Sequence, residues 1–310
     1  MLTSFFAKSK PINILFIIIL LSVFFVTANF GNLFSPFQPF VFTKIIGVYL
    51  VLLFGIFMLN FIAKKNELTK RSAYKILLFS VFCASFSSLL RDYNCIVSAS
   101  LVLLALRRVI SLKSQIAVQK KLFDASFWIA IASLFYFWSF IFILVVFGGI
   151  LIYAPKPKYW LIPIVSASSV AILYNTVYLM FKDQFYTLND WYQPFNFDFS
   201  QYQSLELLVP VSIILALMLW WLVYYFSLIQ KAGVSLRPSL NLILFTLVLG
   251  ILIGFLAPSK NGSELIFFFI PLSIIGSNYF DNVQDKLFRE ILLLIILVMP
   301  IGILFILFIQ

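Results

Sequence analysis

Long apolar segments recur along almost the whole chain and leave little room between them for a soluble fold. Eleven such segments can be recognised in the 310 residues, and all but the adjacent fifth and sixth are separated from the next by a short stretch with charges, proline or glycine. The hydrocarbon core of a bilayer is about 30 Å thick and requires about 20 apolar residues at the rise of an α-helix. Hydrophobic residues make up 63% of the chain and charged residues 11%, whereas soluble domains are about 45–50% apolar and about 25% charged. The sequence therefore predicts an all-α fold, a polytopic bundle of transmembrane helices.

The predicted spans cover most of the chain. They lie at 12–28, 43–63, 75–90, 95–107, 125–137, 138–153, 159–180, 206–228, 239–257, 264–279 and 291–309. The stretches 75–107 and 125–153 are each too long for one span and too short for two, so short or re-entrant helical hairpins are expected there. The first span is expected to stay as an uncleaved anchor, because its apolar run exceeds that of a signal peptide. Without a repeat or a domain boundary, residues 1–310 are predicted to form a single integral membrane domain.

The distribution of positive charge predicts how the chain is oriented. With the N-terminus inside, the segments on that side of the membrane contain 18 of the 22 Lys and Arg residues. Cytoplasmic loops of membrane proteins are enriched in these residues. The prediction is a bacterial inner-membrane protein with a cytoplasmic N-terminus and an external C-terminus. The net charge of +11 then reflects topology and contact with membrane lipids, and no nucleic-acid partner is expected.

Residues 107–124 form the longest basic stretch and are predicted to be a cytoplasmic, amphipathic helix at the membrane surface. Positive side chains alternate there with apolar ones, which is typical of helices that lie in the interface. The basic residues concerned are Arg107, Arg108, Lys113, Lys120 and Lys121. They would contact anionic lipid head groups, or they would only anchor the adjacent spans.

Motifs for cofactors are missing from the sequence. There is no glycine-rich phosphate loop, no dinucleotide fingerprint and no zinc-protease motif. Histidine is absent, which excludes a histidine-ligated metal and a histidine base. Cys83 and Cys95 lie in or beside apolar segments, where a thiol usually packs as a small hydrophobic group. No cofactor and no metal are expected.

Two short loops on the predicted external side carry charges that could bind a ligand. Arg91 and Asp92 lie at the tip between two short apolar segments, where an arginine fork could hold an anion such as a lipid pyrophosphate. Alternatively, this tip is a helical turn whose charges face water. Lys260 could contact the same anion, and Glu264 could act as a base or simply suit the first turn of a helix.

The longest polar stretch is predicted to be an external loop at about 181–206. It mixes aromatic rings with carboxylates and amides, as sugar-binding surfaces do, because rings stack on C–H faces while amides bind hydroxyls. Trp191 and Tyr192 would then contact the sugar, and Asp190 or Asp198 would be the catalytic carboxylate. The same composition is typical of the aromatic belt at a membrane surface, and both interpretations stay open.

Several stretches of the chain resemble an uncharacterised family of integral membrane proteins from Bacteroidota-type bacteria. They are Leu103–Ser111, Leu122–Trp128, Ala132–Tyr136 and Ser263–Phe267, the last followed by Pro271. The resemblance covers nearly the whole chain and implies a polytopic membrane protein without naming an activity. Some relatives carry a carotene-oxygenase label, which implies an iron site with four histidines that this chain cannot form.

A looser likeness is to polyprenyl-linked sugar transferases and polymerases of the GT-C type, which are similar in span number, short hairpins and external loops. It implies a polyprenyl-phosphate-sugar-dependent enzyme of cell-envelope biogenesis. Such transferases usually carry an acidic residue in the first external loop, and residues 29–42 contain none. Two other functions stay open: a non-catalytic scaffold subunit that docks a membrane protein partner, and a transporter or flippase.

Overall fold

The chain folds into helices joined by short loops. A computed structural model describes residues 2–34, 38–283 and 285–309, and no strand occurs in these ranges. Residues 35–37 of the predicted first external loop lie outside the described part, as does the C-terminal residue, 310. The first eight helices are α1 (Leu2–Phe6), α2 (Pro11–Ala28), α3 (Phe30–Phe34), α4 (Pro39–Lys65), α5 (Tyr74–Ala84), α6 (Ser87–Arg91), α7 (Tyr93–Ile110) and α8 (Val118–Phe135). The others are α9 (Ile143–Tyr153), α10 (Leu161–Lys182), α11 (Leu188–Trp191), α12 (Leu205–Lys231), α13 (Arg237–Leu256), α14 (Ile266–Asn282) and α15 (Lys286–Ile309).

The prediction of a multi-pass helical membrane protein is confirmed, in a coarser form than eleven spans. Within the described residues, eight helical stretches are long and apolar enough to cross a bilayer. They are Pro11–Ala28, Pro39–Lys65, Tyr93–Ser114, Pro157–Lys182, Leu205–Lys231, Arg237–Leu256, Ser263–Asn282 and Lys286–Ile306. The shorter apolar helices Tyr74–Ala84 and Phe137–Tyr153 also lie at predicted span positions. Helix α8 also lies at a predicted span position. The number of eleven crossings stays a prediction.

The sequence explains where several helices begin and end. Pro11 and Pro39 occupy the first positions of α2 and α4, where a missing N–H costs nothing and the fixed φ suits a helix. Asp92 precedes α7, and its carboxylate accepts a hydrogen bond from the backbone N–H of Cys95 at 3.1 Å. Lys64 and Lys65 end α4, where positive charge complements the helix dipole.

The predicted amphipathic helix over 107–124 is wrong in its secondary structure. Helix α7 continues to Ile110, a 3-10 turn follows at Ser111–Ser114, and α8 begins at Val118. Gln115 and Ala117 have φ values of 55° and 51°, in the left-handed region that a continuous helix excludes. The basic residues are therefore distributed over two helix ends and the turn between them.

The centre of the bundle consists of α5 and α14. Every residue of α5 is buried, and 94% of the spanning window at Ser263–Asn282 is buried. Helix α13 approaches α14 closely at Gly250, where a Cβ would lie 2.9 Å from the carbonyl oxygen of Phe267. Small residues allow such close helix contacts inside membranes. Helix α10 lies at the periphery, packs mainly on α8 and has only 11% of its window buried.

Hydrogen bonds between loops lie at the two ends of the helical bundle. At the basic end, the backbone N–H of Ser9 donates to the carbonyl of Arg71, Lys70 donates to the carbonyl of Asp281, and Gln115 donates to the carbonyl of Tyr153. At the opposite end, called the loop end, Arg91 donates to the carbonyl of Ala28 and Ser87 donates to Glu206. The segments predicted to share a side of the membrane therefore meet at the same end of the bundle.

Candidate functional site

Two of the predicted ligand loops meet at the loop end. The Ser263 hydroxyl lies 2.8 Å from a carboxylate oxygen of Asp92, and the Ser88 hydroxyl donates to the carbonyl of Asn261. The thiol of Cys95 lies 3.6 Å from the Ser263 hydroxyl. The tip at 91–94 is thus tied to the loop at 260–264, although the two segments are far apart in the sequence. Both Cys83 and Cys95 are free and buried.

Arg91 is exposed, and its Nε donates to the carbonyl of Ala28 at 2.6 Å. This bond anchors the tip to the end of α2. Asp92 is engaged as the cap of α7 and as a partner of Ser263, and it forms no ion pair with Arg91. Within the described residues the ion pair is Arg108–Asp124, at 3.0 Å. The tip therefore has the geometry of a helical turn, with the outer part of the Arg91 guanidinium still facing solvent.

Lys260 has the geometry of a helix cap. The side chain is 2% exposed, and its Nζ donates to the carbonyls of Gly254 at 2.9 Å and Phe255 at 2.5 Å. These carbonyls belong to the last turn of α13, which leaves them without intrahelical partners. The Phe199 ring covers the same ammonium at 4.7 Å. Burial lowers the pKa of Lys260, and the Glu264 carboxylate opposes this effect. No donor direction is left open toward an external anion.

Glu264 is completely buried beneath the loop end. One of its carboxylate oxygens accepts a hydrogen bond from the Tyr202 hydroxyl at 2.6 Å, and the other has no partner. Burial, followed by the Glu264 charge, raises the pKa of Tyr202, which therefore stays a donor. The hydroxyl of Tyr136 is also buried and without a partner, and its ring stacks on Phe267. These groups form a polar cluster in which Glu264 and Tyr136 are buried.

The two aspartates of the long loop stabilise local turns. Asp190 accepts hydrogen bonds from the backbone N–H and the hydroxyl of Thr187, both at 2.8 Å. Asp198 accepts a hydrogen bond from the backbone N–H of Ser200 at 2.9 Å. These backbone bonds lower the pKa of both aspartates. A carboxylate with a lowered pKa is a weak base and is rarely protonated at neutral pH, so neither residue suits acid–base catalysis.

Trp191 and Tyr192 attach the long loop to the helices. The Trp191 indole N–H donates to the carbonyl of Ser133 at 3.0 Å, and its ring meets Phe137 and Phe140 edge to face. Tyr192 meets the same Phe137 ring at 5.3 Å between centroids. This aromatic cluster fixes the first half of the loop beside the end of α8, whereas most of residues 183–204 are exposed.

Beside Trp191 lies a groove of about 420 Å³ between α8, α10 and the loop at 186–191, here called the Trp191 groove. Rings, an amide and hydroxyls line it together with small apolar side chains. The polar and aromatic lining residues are Ser133, Phe140, Ser168, Tyr174, Asn175, Tyr186, Thr187 and Trp191. The sequence identifies Trp191 as a candidate ligand contact. It does not identify the α10 residues, because their segment has the composition of an ordinary membrane span. Only the fold brings them next to the loop.

The predicted membrane-surface residues at the basic end divide into two sets. Arg107, Arg108, Lys113 and Lys121 line a cavity of about 480 Å³, together with Lys65 from α4. Lys120 is exposed and does not line it. This cavity is called the basic pocket. Sequence reasoning missed Lys65 because it lies in a different predicted loop, and it also missed Lys75, which is 1% exposed and donates to the carbonyl of Ser72.

A metal site is not formed by the described residues, since no group of three or more His, Cys, Asp or Glu side chains comes together in them. The polar groups that the structure does assemble are suited to hydrogen bonding and to anion binding.

Comparison with known proteins places the chain in a family. A family model described as a family of unknown function (DUF6427) matches residues 1–309. The chain belongs to this family. Membership confirms the expectation of an uncharacterised family that covers nearly the whole chain, and it supplies no activity. Searches of curated proteins and of solved structures found no match.

Proposed function

We propose that the protein binds a lipid-linked sugar, or a similar amphiphile with a polar head, in the Trp191 groove. It would act in cell-envelope biogenesis in the inner membrane of a bacterium, of the Bacteroidota type that the sequence resembles. The observation that carries the proposal is the groove itself, since it combines an indole, two phenol rings, an amide and hydroxyls beside the apolar surface of α10.

The polar side of the groove suits a sugar head. Aromatic faces provide contact area for the C–H faces of a sugar, and a phenol also carries a hydrogen-bonding handle. The Tyr174 hydroxyl has no hydrogen bond among the described residues, and Ser168 is exposed, so both hydroxyls are available to a ligand. Asn175 accepts from the backbone N–H of Tyr186 at 3.0 Å, which holds the loop over the groove.

The apolar surface of α10 outside the groove suits a lipid tail. Leu161, Ile172 and Leu173 do not line the groove, and they are each about 60% exposed, at 64%, 66% and 59%. An exposed apolar helix face in a membrane protein contacts lipid chains or another protein. A ligand held in the Trp191 groove can therefore keep its tail along α10 while its head lies against the loop.

Binding is favoured over glycosyl transfer because the three candidate catalytic carboxylates have structural partners. Glu264 is sealed under Tyr202, and the hydrogen bonds to Asp190 and Asp198 stabilise turns. Only the class of ligand is therefore taken from the looser GT-C likeness, and not the glycosyl-transfer reaction. A catalytic role for these residues requires a rearrangement of the loop end.

The proposed orientation follows from the charge at the two ends. The basic end collects most of the Lys and Arg residues and is assigned to the cytoplasm by the positive-inside rule. The N-terminus is then cytoplasmic, and the Trp191 groove opens toward the outer leaflet. Reporter fusions at residues 92, 124 and 156 test this orientation, because residue 92 must report the opposite side from the other two.

A binding experiment tests the function. The full chain is placed in phosphatidylcholine nanodiscs and photocrosslinked to a polyprenyl phosphate that carries one sugar and to the same lipid without the sugar. Trp191→Ala and the milder Tyr174→Phe are expected to lose the preference for the sugar-bearing probe. Trp220→Ala is the matched control, because Trp220 is 55% exposed on α12, away from the groove. Equal crosslinking of both probes to the unmodified protein contradicts the proposal.

A scaffold subunit is the second candidate, supported by exposed aromatic rings on the loop. Phe185, Phe195 and Phe197 are 70%, 54% and 61% exposed. Exposed apolar patches of this kind mark interaction surfaces. Stoichiometric co-purification of one protein, lost when all three phenylalanines become serine and retained in Trp191→Ala, favours the scaffold over the lipid-binding function.

A further inference from the structure

The basic pocket is formed by two parts of the chain that are distant in sequence, residues 65–67 and residues 107–121. The end of α4 contributes Lys65, Asn66 and Glu67, the end of α7 contributes Arg107 and Arg108, and the turn before α8 contributes Lys113. Lys121 comes from the first turns of α8. The pocket has a volume of about 480 Å³, within the range of about 300–1,000 Å³ that is usual for small-molecule sites.

Charge in the pocket is strongly unbalanced. Five of its lining residues are cationic, and one lining residue, Glu67, is acidic. Asp124 neutralises part of Arg108 through the ion pair at 3.0 Å. Burial, and then repulsion by Arg108 and by Lys65, lower the pKa of Lys121, which lies outside the eight apolar spans. The positive charges are therefore close enough to repel one another.

The cations are positioned by the protein, yet several have no acceptor within it. Lys65 and Arg107 both lie over the Phe61 ring, at 5.4 Å and 5.0 Å from its centroid. Lys121 donates to the carbonyl of Ser111 and to the hydroxyl of Ser114, both at 2.6 Å. Among the described residues, the charged groups of Lys65, Arg107 and Lys113 form no ion pair. Their donors are therefore not engaged by an acidic partner in this part of the protein.

The backbone around the pocket is held in costly conformations. Glu67, Gln115 and Ala117 have positive φ values of 56°, 55° and 51°, and none of them is a glycine. Such residues cluster at ligand sites, where the surrounding structure keeps them in place. Gln115 is fixed by donating to the carbonyl of Tyr153 at 2.6 Å. The turn that carries Lys113 is therefore braced against α9.

We propose that the basic pocket binds a phosphate-bearing anion, with Arg107 as the fork that contacts two phosphate oxygens and Lys65 and Lys113 as ammonium contacts. Arginine and lysine are the residues that proteins use for phosphate groups, arginine through paired donors and lysine as a point charge. The phosphate can belong to an anionic lipid head group, since basic pockets at this position in membrane proteins bind such lipids. It can equally belong to a soluble phosphate or diphosphate.

The inference is independent of the lipid-linked sugar proposed above, because the two sites lie at opposite ends of the bundle. Loss of binding in the Trp191 groove leaves the basic pocket intact, and the reverse also holds. Variants at one end therefore serve as controls for the other.

Four exposed lysines provide a matched test of the pocket. Lys65 and Lys113 line it, whereas their counterparts Lys64 and Lys120 are also exposed and do not. The double variants Lys65→Gln/Lys113→Gln and Lys64→Gln/Lys120→Gln remove the same charge from the same end. Full-length protein in phosphatidylcholine nanodiscs is titrated with inorganic pyrophosphate by calorimetry. In parallel, nanodiscs that also contain phosphatidic acid are analysed for lipids retained on the protein by native mass spectrometry.

A lysine near an anionic surface contributes about fivefold to binding at low salt, so the pocket variant should bind about 25-fold more weakly. The Lys64/Lys120 control should bind like the unmodified protein. Pyrophosphate binding with this pattern identifies a soluble phosphate ligand. Retention of phosphatidic acid with this pattern, without pyrophosphate binding, identifies a lipid head group. Equal losses in the two double variants, or no loss in the pocket variant, overturn the proposal.

Discussion

Replacement of Lys260 by methionine distinguishes a helix cap from a ligand contact. In the structure the ammonium group donates to two carbonyls of the last turn of α13, at 2.9 and 2.5 Å, and is 2% exposed. Methionine keeps the apolar stem and removes the donors. The carbonyls of Gly254 and Phe255 then lose their partners, and the loop that follows α13 loosens.

The expected cost can be worked out from these bonds. A hydrogen bond from a charged donor contributes about 1.5–3 kcal/mol, which gives about 3–6 kcal/mol for two. Methionine loses about as much side-chain entropy as lysine when it is buried, so that cost cancels, but it avoids the cost of burying a charge, which offsets part of the loss. The free energy required to open this loop therefore falls by about 1–3 kcal/mol. This decrease corresponds to about 5- to 150-fold more frequent opening.

The two buried cysteines supply the assay. Cys95 contacts Ser263 beside the affected loop, whereas Cys83 lies in the fully buried α5. In a Cys83→Ala background, Lys260→Met should speed maleimide labelling of Cys95 by the factor given above. In a Cys95→Ala background, labelling of Cys83 should change much less, because it requires the centre of the bundle to open.

Lys182→Met is the control, since Lys182 lies in the last turn of α10 and is exposed. It should leave both labelling rates unchanged. Unchanged labelling of Cys95 in Lys260→Met would refute the capping role.

Three further predictions concern packing, a cap and pH. Gly250→Val is expected to destabilise the bundle by about 1–3 kcal/mol, because its side chain must displace the backbone of α14. Gly302→Ala meets open space inside α15 and should not destabilise the protein in the same thermal-unfolding measurement. Asp92→Ala removes the cap of α7 and should cost about 1 kcal/mol, seen as faster labelling of Cys95, and Asp92→Asn should recover most of this loss. Because hydrogen bonds hold the pKa of Asp190 below its usual 3.8, the loop at 187–192 should keep its full stability above that pH and lose it as the pH falls through the lowered pKa. Tryptophan fluorescence should change as the loop loosens at low pH. Asp190→Asn should abolish this pH-dependent change. A change that persists in the variant would contradict the role of Asp190.

The sequence predicted the helices well because hydrophobic length is a local property. A helix lies at each predicted span position in the described residues, and the charges separate into the two predicted ends. The turn at 111–117 was missed because it contains neither glycine nor proline. Its left-handed residues, Gln115 and Ala117, are maintained by tertiary contacts such as the bond from Gln115 to α9, which no local pattern reveals.

The candidate sites were less predictable, since charge and exposure do not follow from residue type. Lys260 and Arg91 look alike in the sequence, yet one caps a helix from inside the protein and the other is exposed. The tip at 91–94 and the loop at 260–264 were both identified, but their contact through Asp92 and Ser263 required the fold. The same holds for Lys65, which joins the basic pocket from a separate loop.

The buried position of α5 and α14 has a consequence for biosynthesis. The spanning window at Ser263–Asn282 has a hydropathy of 1.3, the lowest of the eight, and α5 has only 11 residues. These two helices are the least able to remain in lipid alone, and they pack against each other although they are far apart along the chain. Before α14 is synthesised, α5 therefore has α2 and α4 to pack on but lacks its main partner. The centre of the bundle can therefore form only after α14 has been synthesised, so a chain truncated before α14 should be unstable.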